Sequence, residues 1–118
     1  MKDNKNITIS IFEVVGSEFC VAADDGQLIF DQIKRAFTEG YAVELTFKNV
    51  KRLTSAFLNV AIGQLYGEYT QEFIKEHLRV KEISPGDANL LKRVVDRAKV
   101  FFSDPDTYQD AYNKVIGE

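Results

Sequence analysis

The 118-residue chain has no tryptophan, one cysteine, one histidine, one methionine and no long apolar run. Each scarcity removes a class of function. A lone Cys20 rules out an internal disulfide and fits a reducing cytosol. A lone His77 cannot build a His-rich metal site, and no Cys or carboxylate cluster near it has zinc-ligand spacing. The chain has neither a G-x-G-x-x-G nor a G-x-x-x-x-G-K-[ST] loop, so it is not expected to be a self-contained nucleotide enzyme. No stretch approaches the ~20 apolar residues that span a bilayer, and the polar start, Met1 to Asn6, lacks the apolar core of a signal peptide. The formal net charge of −3 argues against nonspecific nucleic-acid binding. The expectation is a cytoplasmic protein with no cofactor, no metal, no nucleic acid and no membrane association.

What is present is enough for one packed domain. The length suits a single domain, and 45% apolar residues can form a sizeable core. Residues 1–6 read as a polar tail. Ile7, Ile9 and Ile11 alternate with Thr8, Ser10 and Phe12, the period of a strand. Gly16-Ser17 offers a turn, and Glu18 to Ala22 reads as the return strand of a hairpin. Asp24-Asp25-Gly26 opens a helix on acids that suit its dipole. Ile29, Ile33, Ala36 and Phe37 form its buried stripe, and Gly40 stops it. A strand follows over Tyr41 to Phe47.

After Thr54 the apolar spacing becomes helical, through Phe57, Leu58, Ala61, Ile62, Leu65, Tyr66 and Tyr69. Gly63 and Gly67 weaken that helix by roughly 1 kcal/mol each relative to alanine. Leu78 and Val80 make another short strand, with Ile83 out of phase. Ser84-Pro85-Gly86-Asp87 is a turn and a helix start. The helix beyond it carries Leu91, Val94, Val95, Ala98, Phe101 and Phe102 on one face. Lys92, Arg93, Arg97 and Lys99 lie on the other, as a solvated surface. Asp104-Pro105-Asp106 ends it and begins an additional C-terminal helix over 105–118, with Tyr108, Ala111, Tyr112, Val115 and Ile116 on one side.

Strands separated by helices imply parallel pairing with right-handed crossovers. The strands alternate, so helices should pack mainly on one sheet face. The expected fold is a two-layer α/β domain with a mixed, mostly parallel sheet and an antiparallel hairpin near its start.

The most informative stretch is Val43 to Leu58, a strand, a loop carrying Lys48, Lys51 and Arg52, and a helix opening on Thr54-Ser55. A helix start leaves backbone N–H groups unpaired, which suits either an N-cap or a phosphate. Both readings stay open on the residues alone. The single histidine reads as a surface residue and Cys20 as a buried small hydrophobe. The acid pairs Asp24-Asp25 and Asp104/Asp106 read as helix starts, where the dipole favours them.

This arrangement, carried mostly by Val43 to Leu65, resembles the STAS domain of anti-sigma factor antagonists and sulfate-transporter tails. It is more similar to the STAS-like family of unknown function. In STAS antagonists an Asp-Ser pair marks this helix start, and a partner kinase phosphorylates the serine and breaks the complex. The resemblance puts Ser55 at the phosphorylated position and Thr54 in place of the aspartate. Ala56 and Phe57 stand where small residues are usual, and Thr46 where the preceding strand often ends on an aspartate. It implies a non-enzymatic signalling module whose partner is an anti-sigma or histidine-kinase-like ATPase. The implied partner surface comprises Lys48, Asn49, Lys51, Arg52, Thr54, Ser55, Ala56, Leu58 and Asn59. The alternative is a sensor of small anions or nucleotides at the same helix start, with Lys51 or Arg52 as counter-charge.

Overall fold

The structure is a computed structural model that describes residues 5–103. Its centre is a three-stranded sheet of β1 (Asn6–Ser10), β3 (Ala42–Thr46) and β5 (Leu78–Lys81), in the order β1-β3-β5. Both pairings are parallel, with Ile9 opposite Leu45 and Leu45 opposite Val80. Because side chains alternate across a strand, Ile9, Val43 and Leu45 share one face, where they are buried. The opposite face is polar. There Thr8 Oγ1 donates to Glu44 Oε1 at 3.4 Å, and Lys81 Nζ lies 3.5 Å from the same oxygen. The helical layer therefore covers the apolar face, as the alternation implied.

The first segment departs from the reading of a strand through Phe12. The strand ends at Ser10, and Ile11–Val15 form the short helix α1. Ser10 is its N-cap, accepting a bond from the Glu13 N–H at 3.1 Å. Ser10-Ile11-Phe12-Glu13 is the serine-x-x-glutamate pattern of a capping box, which outweighs the alternation of three isoleucines. Asn6, read as part of the tail, is the first residue of β1.

The expected antiparallel hairpin is also corrected. The strand β2 is only Phe19–Cys20, and it pairs in parallel with β4, Arg52–Leu53. Helix α1 separates β2 from β1, and β2 pairs instead with Arg52–Leu53, the segment just before the helix Ser55–Ala61.

Helix α2 (Ala23–Thr38) buries Ile29, Phe30, Ile33, Ala36 and Phe37. Its end is a Schellman motif. The Tyr41 N–H reaches the Ala36 carbonyl at 2.9 Å and the Gly40 N–H the Phe37 carbonyl at 3.0 Å, with Gly40 at φ 89°. Helix α3 is short, Ser55–Ala61, and is followed by a 3-10 segment, Gly63–Gly67, instead of a continuous helix to Tyr69. Glycines that weaken an α-helix allow this tighter winding, and Gly63 admits Ala98 and Val94 close by.

Helix α4 (Gln71–His77) leads directly into β5. Helix α5 (Pro85–Ser103) starts with Pro85 in its first turn and with Ser84 Oγ accepting from the Asp87 N–H at 3.2 Å. It buries Val94 and Ala98. The proposed helix over 105–118, with Tyr108 and Tyr112, and the acids Asp104 and Asp106 lie outside the described residues.

One contact sets how closely the helices approach. Gly26, in the first turn of α2, lies against the backbone of α3. A Cβ there would come within 2.5 Å of the Phe57 carbonyl oxygen. Around this crossing the Phe57, Leu58 and Ala61 side chains are wholly buried. No helix among the described residues is long and apolar enough to cross a membrane.

Candidate functional site

The site is built where β3 and β4 hand the chain to α3. After β3, a tight turn spans Phe47 to Val50, closed by the Val50 N–H on the Phe47 carbonyl at 3.0 Å. Asn49 takes the left-handed position of that turn, at φ 70°, which asparagine tolerates better than most residues. Lys48, Lys51 and Arg52 project from the turn and from β4 as exposed side chains. None of the three is in an ion pair among the described residues.

The two hydroxyls separate cleanly. Thr54 is the N-cap of α3, and its Oγ1 accepts from the Phe57 N–H at 3.2 Å. The same hydroxyl donates to the Val21 carbonyl at 2.8 Å. Thr54 thus ties the helix start to Val21, the residue after β2, and its hydroxyl is used on both sides. Ser55 is exposed at the first helical position, and its hydroxyl makes no hydrogen bond among the described residues. Ser55, Ala56 and Asn59 share the exposed side of the helix, the three- and four-residue spacing of one face. Leu58 does not belong to that surface. It is 0% exposed and packs into the core, so it is removed from the expected binding residues.

Two residues join the surface that the sequence reading assigned to a hairpin. Phe19 and Val21 are 54% and 40% exposed, flanking the buried Cys20. Phe19 stands opposite Arg52 in the parallel register, so both lie on the outer face of the ribbon. The surface thus combines an apolar pair, three cations and the free hydroxyl of Ser55. A signal for it was present in the sequence, as Phe-Cys-Val alternation. Which of its two faces points outward depends on the partner strand, and that pairing is not local.

Thr46 also has a defined role. Its Oγ1 donates to Glu82 Oε1 at 2.7 Å and accepts from the Lys48 N–H at 3.2 Å. A carboxylate is therefore held at the end of β3, supplied by Glu82, the residue after β5. Glu82 takes the left-handed backbone region, at φ 58°.

The remaining candidates fall into structural roles. Cys20 is fully buried, and its Sγ lies 3.7 Å from the Ser17 carbonyl. Burial, with a smaller effect from the Asp25 carboxylate, pushes its thiol up to about 11. A thiol held protonated in this way is a poor nucleophile. His77 is not a free surface histidine. It is half-buried, stacked on Phe73 with centroids 4.0 Å apart, and its Nδ1 is 2.8 Å from the Phe73 carbonyl. Tyr69, Phe73 and His77 form a ladder along one side, with the Phe37 ring edge-on to each. Asp24 and Asp25 occupy the first turn of α2, where the helix dipole favours them. No group of three metal-ligating side chains gathers among the described residues.

Helix α3 has seven residues. Its Phe57 N–H is taken by Thr54 Oγ1, and its Leu58 N–H by the Thr54 carbonyl.

Residues 25–88 match the family model of the STAS-like domain of unknown function (DUF4325). The chain belongs to this family. The matched region of this STAS-like domain runs from the first turn of α2 to the first turn of α5. It includes Thr46, the basic turn, Thr54 and Ser55. Phe19 and Val21 lie outside it. No curated protein and no solved structure matches the chain.

Proposed function

We propose that this STAS-like domain is a non-catalytic signalling module that binds a protein partner through the start of α3, and that phosphorylation of Ser55 releases the partner. The observation that carries this reading is the division of labour between the two hydroxyls. Thr54 is spent on the fold, whereas Ser55 is exposed, unbonded and placed beside cations. A phosphate adds about −1.5 to −2 charges at neutral pH. On Ser55 it disturbs no bond of the domain, but it sets a hydrated dianion where a partner would seat.

The contact surface on this reading comprises Lys48, Asn49, Lys51, Arg52, Ser55, Ala56 and Asn59, extended by Phe19 and Val21. Aromatic residues and arginine are enriched at interface cores, and this surface carries Phe19 opposite Arg52. The partner class is an anti-sigma or histidine-kinase-like ATPase, which would itself bring the ATP. Phosphopeptide mapping of the chain, incubated with ATP and a lysate of its native cells, tests the modification. Phosphate on Ser55, abolished in Ser55→Ala, is expected. Phosphate on Thr54, or on neither hydroxyl, would overturn the switch.

A further inference from the structure

Away from Ser55, β5 forms one edge of the three-stranded sheet, and no further strand pairs with it among the described residues. Each strand of a parallel pair bonds its neighbour through alternate residues. The Phe47 N–H donates to the Lys81 carbonyl at 3.0 Å, and Lys81 stands opposite Thr46, which fixes the phase. Arg79 and Lys81 therefore turn their backbone groups toward β3, while Leu78 and Val80 turn theirs outward. The Leu78 N–H is spent on the Ile74 carbonyl at the end of α4. The Leu78 carbonyl and the N–H and carbonyl of Val80 remain at the edge, with no hydrogen bond among the described residues.

The side chains along this edge sort by face. Leu78 and Val80, opposite Val43 and Leu45, look to the helical side. There, with Leu91 and Val95 of α5, they line a hollow of about 560 Å³. Glu72, Lys75 and Lys99 line it as well, so it suits apolar groups and favours neither sign of charge. Arg79 and Lys81 lie on the polar side, opposite Glu44 and Thr46. Lys81 Nζ is 3.5 Å from Glu44, and the Glu82 carboxylate is bonded to Thr46. Arg79 is exposed and in no ion pair among the described residues. The polar side of the edge itself thus carries two cations, with Glu44 one strand inward and Glu82 beyond the strand's end.

We propose that β5 accepts an extended segment of a protein partner as an added strand, with apolar residues in the hollow alternating with acidic residues beside Arg79 and Lys81. The outward backbone groups select an extended main chain, and the period of two along a strand sends successive side chains to the two faces. Opposite charges on neighbouring strands add to the pairing. A second copy of this chain fits poorly. Two β5 edges would set Arg79 and Lys81 against their own like, and β1, Asn6–Ser10, has no acid to offer them. This edge is separate from the start of α3, and the inference is independent of the role of Ser55.

The test uses the full chain and a short fluorescent peptide that alternates valine with glutamate. Fluorescence anisotropy should show saturable binding, and the Val80 amide should gain protection from hydrogen exchange. A peptide of the same composition, with its valines and glutamates in separate blocks, should not bind. Val80→Pro removes the outward N–H but no bond to β3, and it should weaken binding about tenfold while circular dichroism stays native. Arg79→Glu should weaken it too and move the preference to a peptide alternating valine with lysine. Absence of binding, or equal binding of the block peptide, overturns the proposal. So does binding that adds no protection at Val80, a measurement on the wild type that decides even where Val80→Pro does not fold. A wild-type dimer that Val80→Pro disperses overturns it as well, because a second copy would then hold the edge.

Discussion

Gly26→Ala probes the closest approach in the domain. The added Cβ would lie 2.5 Å from the Phe57 carbonyl oxygen, 3.1 Å from Val60 Cβ and 3.2 Å from the Ala61 nitrogen. Carbon–oxygen contacts of this kind settle at about 3.3–3.6 Å, so α2 and α3 must part by close to an ångström. Two of the three nearest atoms are backbone, so no rotamer change relieves the overlap. Overpacking of this kind costs roughly 1–3 kcal/mol. The better helix propensity of alanine offsets up to about 1 kcal/mol of it.

The net expectation is a loss of about 1–2 kcal/mol, or roughly 5–10 °C in Tm for a domain near this size. Gly86→Ala is the control. It lies in the first turn of α5 with no atom within 4 Å of a new Cβ, and it should be neutral or stabilising by a few tenths to about 1 kcal/mol. Thermal and urea unfolding followed by circular dichroism measure both. A Gly26→Ala protein as stable as wild type would refute the reasoning that backbone contact sets the α2–α3 crossing.

Thr54→Val removes both the cap and the bond to Val21, and should cost about 1–2 kcal/mol, whereas Thr54→Ser keeps both bonds and most of the stability. Ser55→Ala, which breaks no bond, should stay within about 0.5 kcal/mol of wild type by urea unfolding. The raised Cys20 thiol makes a pH prediction. Stability from this group is complete below the unfolded pKa near 9.0 and is lost as pH rises toward about 11, because only the unfolded chain ionises readily there. Compared with Cys20→Ala, wild type should therefore lose additional stability between pH 9 and 11, and native Cys20 should resist thiol reagents at pH 8. Stoichiometric labelling faster than unfolding would contradict this. Reversing Lys48, Lys51 and Arg52 to glutamate should leave Tm within a few degrees, since all three are exposed and in no ion pair among the described residues, while weakening partner capture most at low salt.

Much of the frame was legible because its signals are local. Helix α2 announced itself through its acidic start, its apolar stripe and Gly40, and the Schellman bonds at Gly40 confirm the stop. The same holds for β3, β5 and the start of α5. The errors have specific causes. The Ile7, Ile9, Ile11 alternation overran a capping box that was equally visible in Ser10 and Glu13. The parallel pairing of Phe19–Cys20 with Arg52–Leu53 joins segments over thirty residues apart, and no local pattern encodes it. That error hid Phe19 and Val21 from the candidate surface. Leu58 was placed on the surface by its nearness in sequence to Ser55, yet the helix turns it into the core. His77 was misplaced because it stacks on Phe73 of its own helix and is met edge-on by the Phe37 ring, which comes from another element. Gly26 read as part of a helix start, and only the packing of α3 against it gives it a purpose.

The most direct test of the central claim is affinity capture from a native lysate with wild type, Ser55→Ala and Ser55→Asp side by side. The account predicts a common partner retained by wild type and Ser55→Ala and lost by Ser55→Asp, with all three domains equally folded. Equal capture by all three, or no specific capture by any, would contradict a charge-controlled binding surface at the start of α3.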